Sequence, residues 1–102
     1  MTEKVKPAQC RSMAEVRCGV DALDAEILGL IGERFRYMDA AARIKPDRAA
    51  VRDEWRKADV LAKVAGHAAA ADVPADTAAA LYERLIEDSI AYELKRFDAL
   101  RG

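Results

Sequence analysis

The chain has 102 residues, a length that corresponds to one domain, and its formal net charge is -1. Seventeen basic residues against eighteen acidic ones leave no net field that would attract a nucleic acid or an anionic membrane surface. No apolar run approaches the roughly 20 residues of a membrane span, and residues 1–9 lack the apolar segment of a secretion signal. We therefore expect a cytoplasmic protein. Twenty-two alanines and only five glycines and three prolines favour an all-α fold with a thin core.

The first predicted element is a long helix. Residues 1–11 show no apolar periodicity and are expected to form a flexible tail, so that residues 12–102 make up the helical domain. Ser12 and Glu15 have the spacing of a capping box, which places the start of helix 1 at Ser12. Up to about Ile44, apolar side chains project onto one side of this helix: Val16, Val20, Leu23, Ile27, Leu30, Met38 and Ala41.

The length of helix 1 predicts a homodimer. About 31 residues at 1.5 Å each give a helix of about 46 Å. A compact domain of this size has a diameter of only about 34 Å. Part of the apolar side of helix 1 must therefore be covered by another molecule, and a second copy packed around a two-fold axis is the expected partner.

Two further helices are predicted after a break at Pro46. The second extends to about Ala71, and its expected apolar stripe consists of Val51, Trp55, Ala58, Leu61, Ala62 and Ala65. Pro74 suits the first turn of the third helix, which runs to about Leu100. The expected apolar arc of this third helix consists of Tyr82, Leu85, Ile86, Ile90, Leu94 and Phe97.

Charged residues interrupt these apolar faces. Arg34 and Lys45 project onto the stripe of helix 1, and Glu93 projects into the arc of helix 3, with Ser89 one turn earlier. A buried unpaired charge is costly, which leaves three interpretations. Arg34 or Lys45 pairs with Glu93, or its aliphatic stem covers apolar surface while its charged head reaches solvent, or the cations bind an anionic ligand. Arg17 lies about 25 Å from Arg34 along helix 1 but could approach it in an antiparallel dimer. The excess of cations over Glu93 favours a small ligand with more than one carboxylate.

Other enzyme classes lack their motifs. The sequence contains no G-x-S-x-G, no H-E-x-x-H and no glycine-rich phosphate loop. His67 is expected at the surface, and Cys10 and Cys18 are expected to be free thiols, buried or half-buried, so that neither a metal nor a cofactor is predicted. Such an enzyme has to act by holding its substrate in a reactive conformation and stabilising the charge that develops.

Six short segments, in this order and spacing, resemble the all-helical chorismate mutase family, which includes the isochorismate pyruvate lyases. They are M-A-E-V-R (13–17), V-D-A-L-D (20–24), E-R-F (33–35), A-A-R-I-K (41–45), V-R-D-E-W-R (51–56) and S-I-A-Y-E (89–93). The resemblance covers about residues 10–101. It implies an intertwined homodimer of three-helix chains, in which each active site contains an arginine from the partner's first helix.

The resemblance also implies roles for individual residues. Lys45 would donate a hydrogen bond to the ether oxygen of the substrate as its bond to carbon breaks, and Glu93 would do the same in its protonated form. Lys57 departs from the family pattern, since mutases often have a glutamate there that holds the ring hydroxyl. The implied substrate-binding residues are Arg17 across the dimer, Arg34, Asp53, Arg56, Lys57 and Ser89.

The resulting hypothesis is a chorismate mutase that rearranges chorismate to prephenate. An isochorismate pyruvate lyase forming salicylate and pyruvate, or an enzyme acting on an amino analogue of chorismate, is the alternative within the same class. A second alternative is a non-catalytic helical dimerisation module, in which Arg34 and Glu93 would form a buried specificity pair.

Overall fold

The computed structural model describes residues 4–102 and confirms the all-α class, since no strand occurs in that range. Helix α1 spans Met13–Ile44, α2 spans Glu54–Ala71 and α3 spans Ala75–Arg101, with single 3-10 turns at Pro7–Gln9 and Arg48–Ala50. The first of these turns falls within the predicted tail, whose residues 1–3 lie outside the described part. The chain divides into two compact units, Met1–Arg36 and Tyr37–Gly102, and the boundary falls within α1.

Short polar side chains determine where the first two helices begin. The backbone N–H of Glu15 donates to Ser12 Oγ at 3.2 Å, which confirms the predicted helix start. Glu15 Oε1 accepts in turn from the backbone N–H of Arg11 at 2.8 Å. Asp53 caps α2 in the same way, because its side chain accepts from the backbone N–H of Arg56 at 3.0 Å.

In the Met1–Arg36 unit the apolar stripe of α1 is exposed. Ile27 is 48% exposed and Leu30 is 67% exposed, and Val16, Val20 and Leu23 are also exposed. Cys10 and Cys18 are free thiols as predicted; Cys10 is half-buried, but Cys18 is exposed, so its predicted burial is wrong. Large apolar side chains exposed along several turns of one helix are typical of protein–protein interaction surfaces.

The Tyr37–Gly102 unit contains the buried core. One cluster joins the end of α1, the second 3-10 turn and α3: Ala42, Val51 and Phe97, with Ile90 and Leu94 packed against them. A second cluster joins α2 and α3: Val64, Ala68 and Ala78, with Val60 and Tyr82 packed against them. The predicted apolar arc of α3 is confirmed, since all of its members are buried or half-buried.

Most of the predicted apolar stripe of α2 is wrong: Val51 is buried and Leu61 is half-buried, but the other four members are exposed. Trp55 is 75% exposed, and the face that packs on α3 carries Val60, Val64 and Ala68 instead. An alanine-rich helix is weakly apolar on every side, so the periodicity of its sequence does not single out one face. No helix among residues 4–102 has the length and apolar character needed to cross a membrane.

Candidate active site

An ion pair between Lys45 and Glu93 lies in the Tyr37–Gly102 unit. Glu93 is buried on α3, and Lys45 follows the last residue of α1 and is half-buried. Lys45 Nζ lies 2.7 Å from Glu93 Oε2 and also donates to the backbone carbonyl of Val51 at 3.4 Å. The predicted inward position of Glu93 is confirmed, and its pairing with Lys45 is one of the pairings that the sequence left open.

Glu93 Oε2 lies beside a counterion but has no hydrogen-bond partner among the described residues. The Lys45 ammonium is close enough to neutralise its charge, and the oxygen atom is buried. Buried polar atoms left in this state are uncommon in folded proteins and often belong to functional sites. The atom therefore suits hydrogen bonding to a ligand.

Ser89 lies one turn before Glu93 on α3 and is buried as predicted. Its hydroxyl donates to the backbone carbonyl of Leu85 at 2.6 Å, a bond within the helix that satisfies the donor. Ser89 and Glu93 thus place two polar groups on one buried face of α3.

Asp53 and Arg56 lie at the start of α2, where Asp53 is the capping residue. The Arg56 guanidinium binds Asp59 on its own helix at 2.6 Å and is largely exposed. Lys63 and then Arg56 hold the pKa of Asp59 below its ordinary value of 3.8 by donating hydrogen bonds to it. An exposed ion pair of this kind adds little to stability, so Arg56 can exchange Asp59 for another carboxylate at little cost.

Lys57 belongs to a different set of charges. Its ammonium lies 2.7 Å from Glu83 and 2.8 Å from Glu87 on α3, and Arg52 binds Glu87 at 2.6 Å. Hydrogen bonds from Arg52 and then Lys57 lower the pKa of Glu87 from 4.5 to about 2. Hydrogen bonds to Glu83 and then Glu87 raise the pKa of Lys57. This network fastens the start of α2 to α3.

The carboxylates that bind Lys57 and the carboxylate that binds Lys45 lie on different faces of α3. Six residues separate Glu87 from Glu93, which corresponds to about 120° around a helix at 100° per residue. Glu83 lies about 80° from Glu93 by the same measure. Lys57, predicted as a substrate-binding residue, is thus bound to carboxylates on a face of α3 that Glu93 does not share.

The two remaining predicted residues lie on α1 in the Met1–Arg36 unit, where Arg17 is exposed and Arg34 is half-buried. His67 is exposed on α2, as predicted. In the part of the chain that the structure describes, no group of three or more histidine, cysteine or acidic residues could hold a metal ion.

Sequence reasoning missed the residues that support the site. Arg52 and Glu87 form a network between α2 and α3 that their positions on separate helices did not indicate. Arg101 donates to two backbone carbonyls at the end of α1. The sequence shows that Arg101 is a basic residue in the last turn of α3. A basic residue at this position usually interacts with the carbonyl end of its own helix, so the sequence did not indicate a contact with the end of α1.

Comparison with known proteins identifies the family. The sequence model of the family described as chorismate mutase type II matches residues 16–94. The chain belongs to this family. The match begins one residue before Arg17 and ends one residue after Glu93, so it includes every predicted site residue. An isochorismate pyruvate lyase of Pseudomonas aeruginosa is 30% identical over 96 residues, which cover 94% of this chain and 95% of the lyase. Membership of the chorismate mutase family therefore extends over both structural units.

Proposed function

We propose that this protein is a chorismate mutase that converts chorismate to prephenate. The observation that carries the proposal is the pairing of Lys45 Nζ with the buried Glu93 Oε2, an atom that has a counterion but no hydrogen-bond partner within residues 4–102. The family match supports chorismate-type chemistry.

The proposed reaction is a pericyclic rearrangement within one molecule. The bond between the ether oxygen and the ring carbon breaks as a new carbon–carbon bond forms, and no atom is gained or lost. Negative charge develops on the ether oxygen. Lys45 and protonated Glu93 donate hydrogen bonds to this oxygen, and this interaction is stronger in the transition state than in the bound substrate.

The proposed role of Glu93 requires its protonated form, because only that form donates a hydrogen bond. In the free chain, Lys45 compensates the Glu93 carboxylate. A protonated Glu93 no longer binds the Lys45 ammonium as a counterion, so the ammonium protons are available to the ether oxygen.

Arginines complete the proposed site. Arg34 and Arg56 bind the substrate carboxylates from within one chain, and Arg17 is donated by a second copy whose α1 covers the exposed apolar stripe. Fixing both carboxylates holds the flexible substrate in its compact reactive conformer. Asp53 and Ser89 are proposed to contact the substrate in addition to their roles within α2 and α3.

Lyase activity is the second candidate, and the similarity to the Pseudomonas aeruginosa enzyme favours it. Elimination of pyruvate from isochorismate also breaks a carbon–oxygen ether bond in a substrate with two carboxylates, and a hydrogen leaves the ring and becomes the third hydrogen of the pyruvate methyl group. The same arginines and Lys45 can serve both reactions. The position of the ring hydroxyl distinguishes the two substrates.

Direct incubation tests both candidates. Purified protein is given chorismate or isochorismate, and prephenate, salicylate and pyruvate are quantified. We expect prephenate from chorismate, and Lys45→Met should reduce its formation by at least about 100-fold. Lys63→Met is the matched control, because it removes another ion-paired lysine of the same unit. If neither substrate reacts, the proposal is wrong; salicylate with pyruvate as the main products would establish the lyase instead.

The role of Glu93 has its own test. An amide donates a hydrogen bond at every pH, whereas a carboxyl group donates only when protonated. The wild-type rate should therefore fall as the pH rises, and Glu93→Gln should abolish this fall while keeping activity. An unchanged pH profile in the variant would exclude proton donation by Glu93.

A further inference from the structure

Arg101, in the last turn of α3, binds the end of α1. Its Nη1 donates to the backbone carbonyl of Ala42 at 2.9 Å, and its Nη2 donates to that of Lys45 at 2.7 Å. The guanidinium carbon lies 3.7 Å from the centre of the Phe97 ring, which is buried. Three contacts thus fix the orientation of one guanidinium group.

These contacts satisfy a requirement of helix ends. The last carbonyls of a helix have no partner within the helix and carry a partial negative charge. The planar fork of an arginine can donate to two acceptors at once, and stacking on an aromatic ring holds the fork in place. Neither lysine nor a neutral side chain provides this combination.

Both backbone polar groups of Lys45 form hydrogen bonds. Its N–H donates to the carbonyl of Ala41 at 2.9 Å, and its carbonyl accepts from Arg101. From this backbone the side chain reaches the carbonyl of Val51 and the carboxylate of Glu93. A substitution of Arg101 should therefore displace the backbone from which the Lys45 side chain extends.

We propose that Arg101 is a positioning residue that sets the place of the Lys45 ammonium relative to Glu93. Its consequence for catalysis rests on the proposed function, whereas the geometric effect on Lys45 does not. Misplacing a reacting group by about 1 Å can cost about 100-fold in rate. Loss of the Arg101 guanidinium group therefore lowers kcat more than it alters KM.

A double-mutant cycle distinguishes positioning from general stabilisation. Arg101→Met should lower kcat by about tenfold or more, with KM changed by less than about threefold, and Arg101→Lys should restore part of the loss. In the Lys45→Met background, Arg101→Met should lower kcat no further. Arg48→Met is the matched control, because Arg48 binds Asp98 on α3 through exposed side chains and should leave kcat unchanged. Equal losses in both Lys45 backgrounds would overturn the proposal.

A measurement without substrate separates this proposal from the proposed function. The nitrogen resonance of the Lys45 ammonium, recorded by NMR on the full chain, should shift in Arg101→Met and shift less in Arg101→Lys. It should stay in place in Arg48→Met. If the wild type turns over neither substrate but this pattern is found, the proposed function fails and the positioning role stands. An unmoved Lys45 signal in a folded Arg101→Lys or Arg101→Met variant would refute the positioning role.

Discussion

The Lys45–Glu93 pair should respond unequally to the loss of either partner. The Lys45 side chain is 28% exposed, whereas the Glu93 side chain is 5% exposed. Lys45→Met leaves a carboxylate that water does not reach. Glu93→Gln leaves an ammonium group that water can still solvate, beside an amide of nearly the same size.

The magnitudes follow from this difference in exposure. Removing one partner of a fully buried ion pair costs about 3 to 5 kcal/mol. Because the Lys45 side chain is partly exposed, Lys45→Met should lower the free energy of unfolding by an amount near the lower end of this range, about 3 kcal/mol. Glu93→Gln should cost about 1 kcal/mol, the range of a solvated pair. The double variant should be more stable than Lys45→Met alone, because no unpaired carboxylate remains.

Urea unfolding followed by circular dichroism measures these free energies. All variants are compared at neutral pH and one protein concentration, since a dimer's stability depends on concentration. Lys63→Met is again the control, because its exposed pair with Asp59 should contribute little to the free energy of unfolding. Equal losses for Lys45→Met and Glu93→Gln would refute the reasoning that unequal solvation decides the cost.

Three further predictions concern assembly and charge. Ile27→Asp places a charge in the exposed apolar stripe of α1 and should convert the proposed dimer to monomer in sedimentation, whereas Ala25→Asp, on the opposite side of the helix, should not. Arg17→Ala and Arg34→Ala should each be inactive alone, but coexpression should restore about 25% of wild-type activity, because half of the random dimers then carry one intact site; no restoration would exclude donation of Arg17 across the dimer. The folded-state pKa of Glu87 is lowered from 4.5 to about 2, so the stability it contributes is complete above pH 4.5 and lost as the pH falls towards 2. Glu87→Gln should therefore show a smaller drop in melting temperature over this acid range, and an equal drop would contradict the assigned network.

Local rules explain the successful sequence predictions. Ser12 and Glu15 determine the start of α1 because a capping box requires only residues three apart. The periodicity of α3 placed Ser89 and Glu93 on a buried face because the surrounding apolar residues define one clear side. The ordered segments from helix 1 to helix 3 also indicated the family, which the match over residues 16–94 confirmed.

Where local signals are weak, the sequence does not determine the packing. Alanine occurs on every side of α2, so the exposure of Trp55 and the burial of Val64 and Ala68 depend on how α2 meets α3. Long charged side chains add a second ambiguity, because each can reach several partners. The pairing of Lys57 with Glu83 and Glu87 follows from the packing of two helices and not from the position of Lys57 in its own.

The sequence by itself determined three helices and a buried polar face at Ser89 and Glu93, because helical periodicity and burial costs act within a single element. Only the tertiary structure decided that Lys45 is the partner of Glu93 and that Arg101 binds the end of α1. These contacts join residues about 50 positions apart, and the packing of α3 against the end of α1 brings them together.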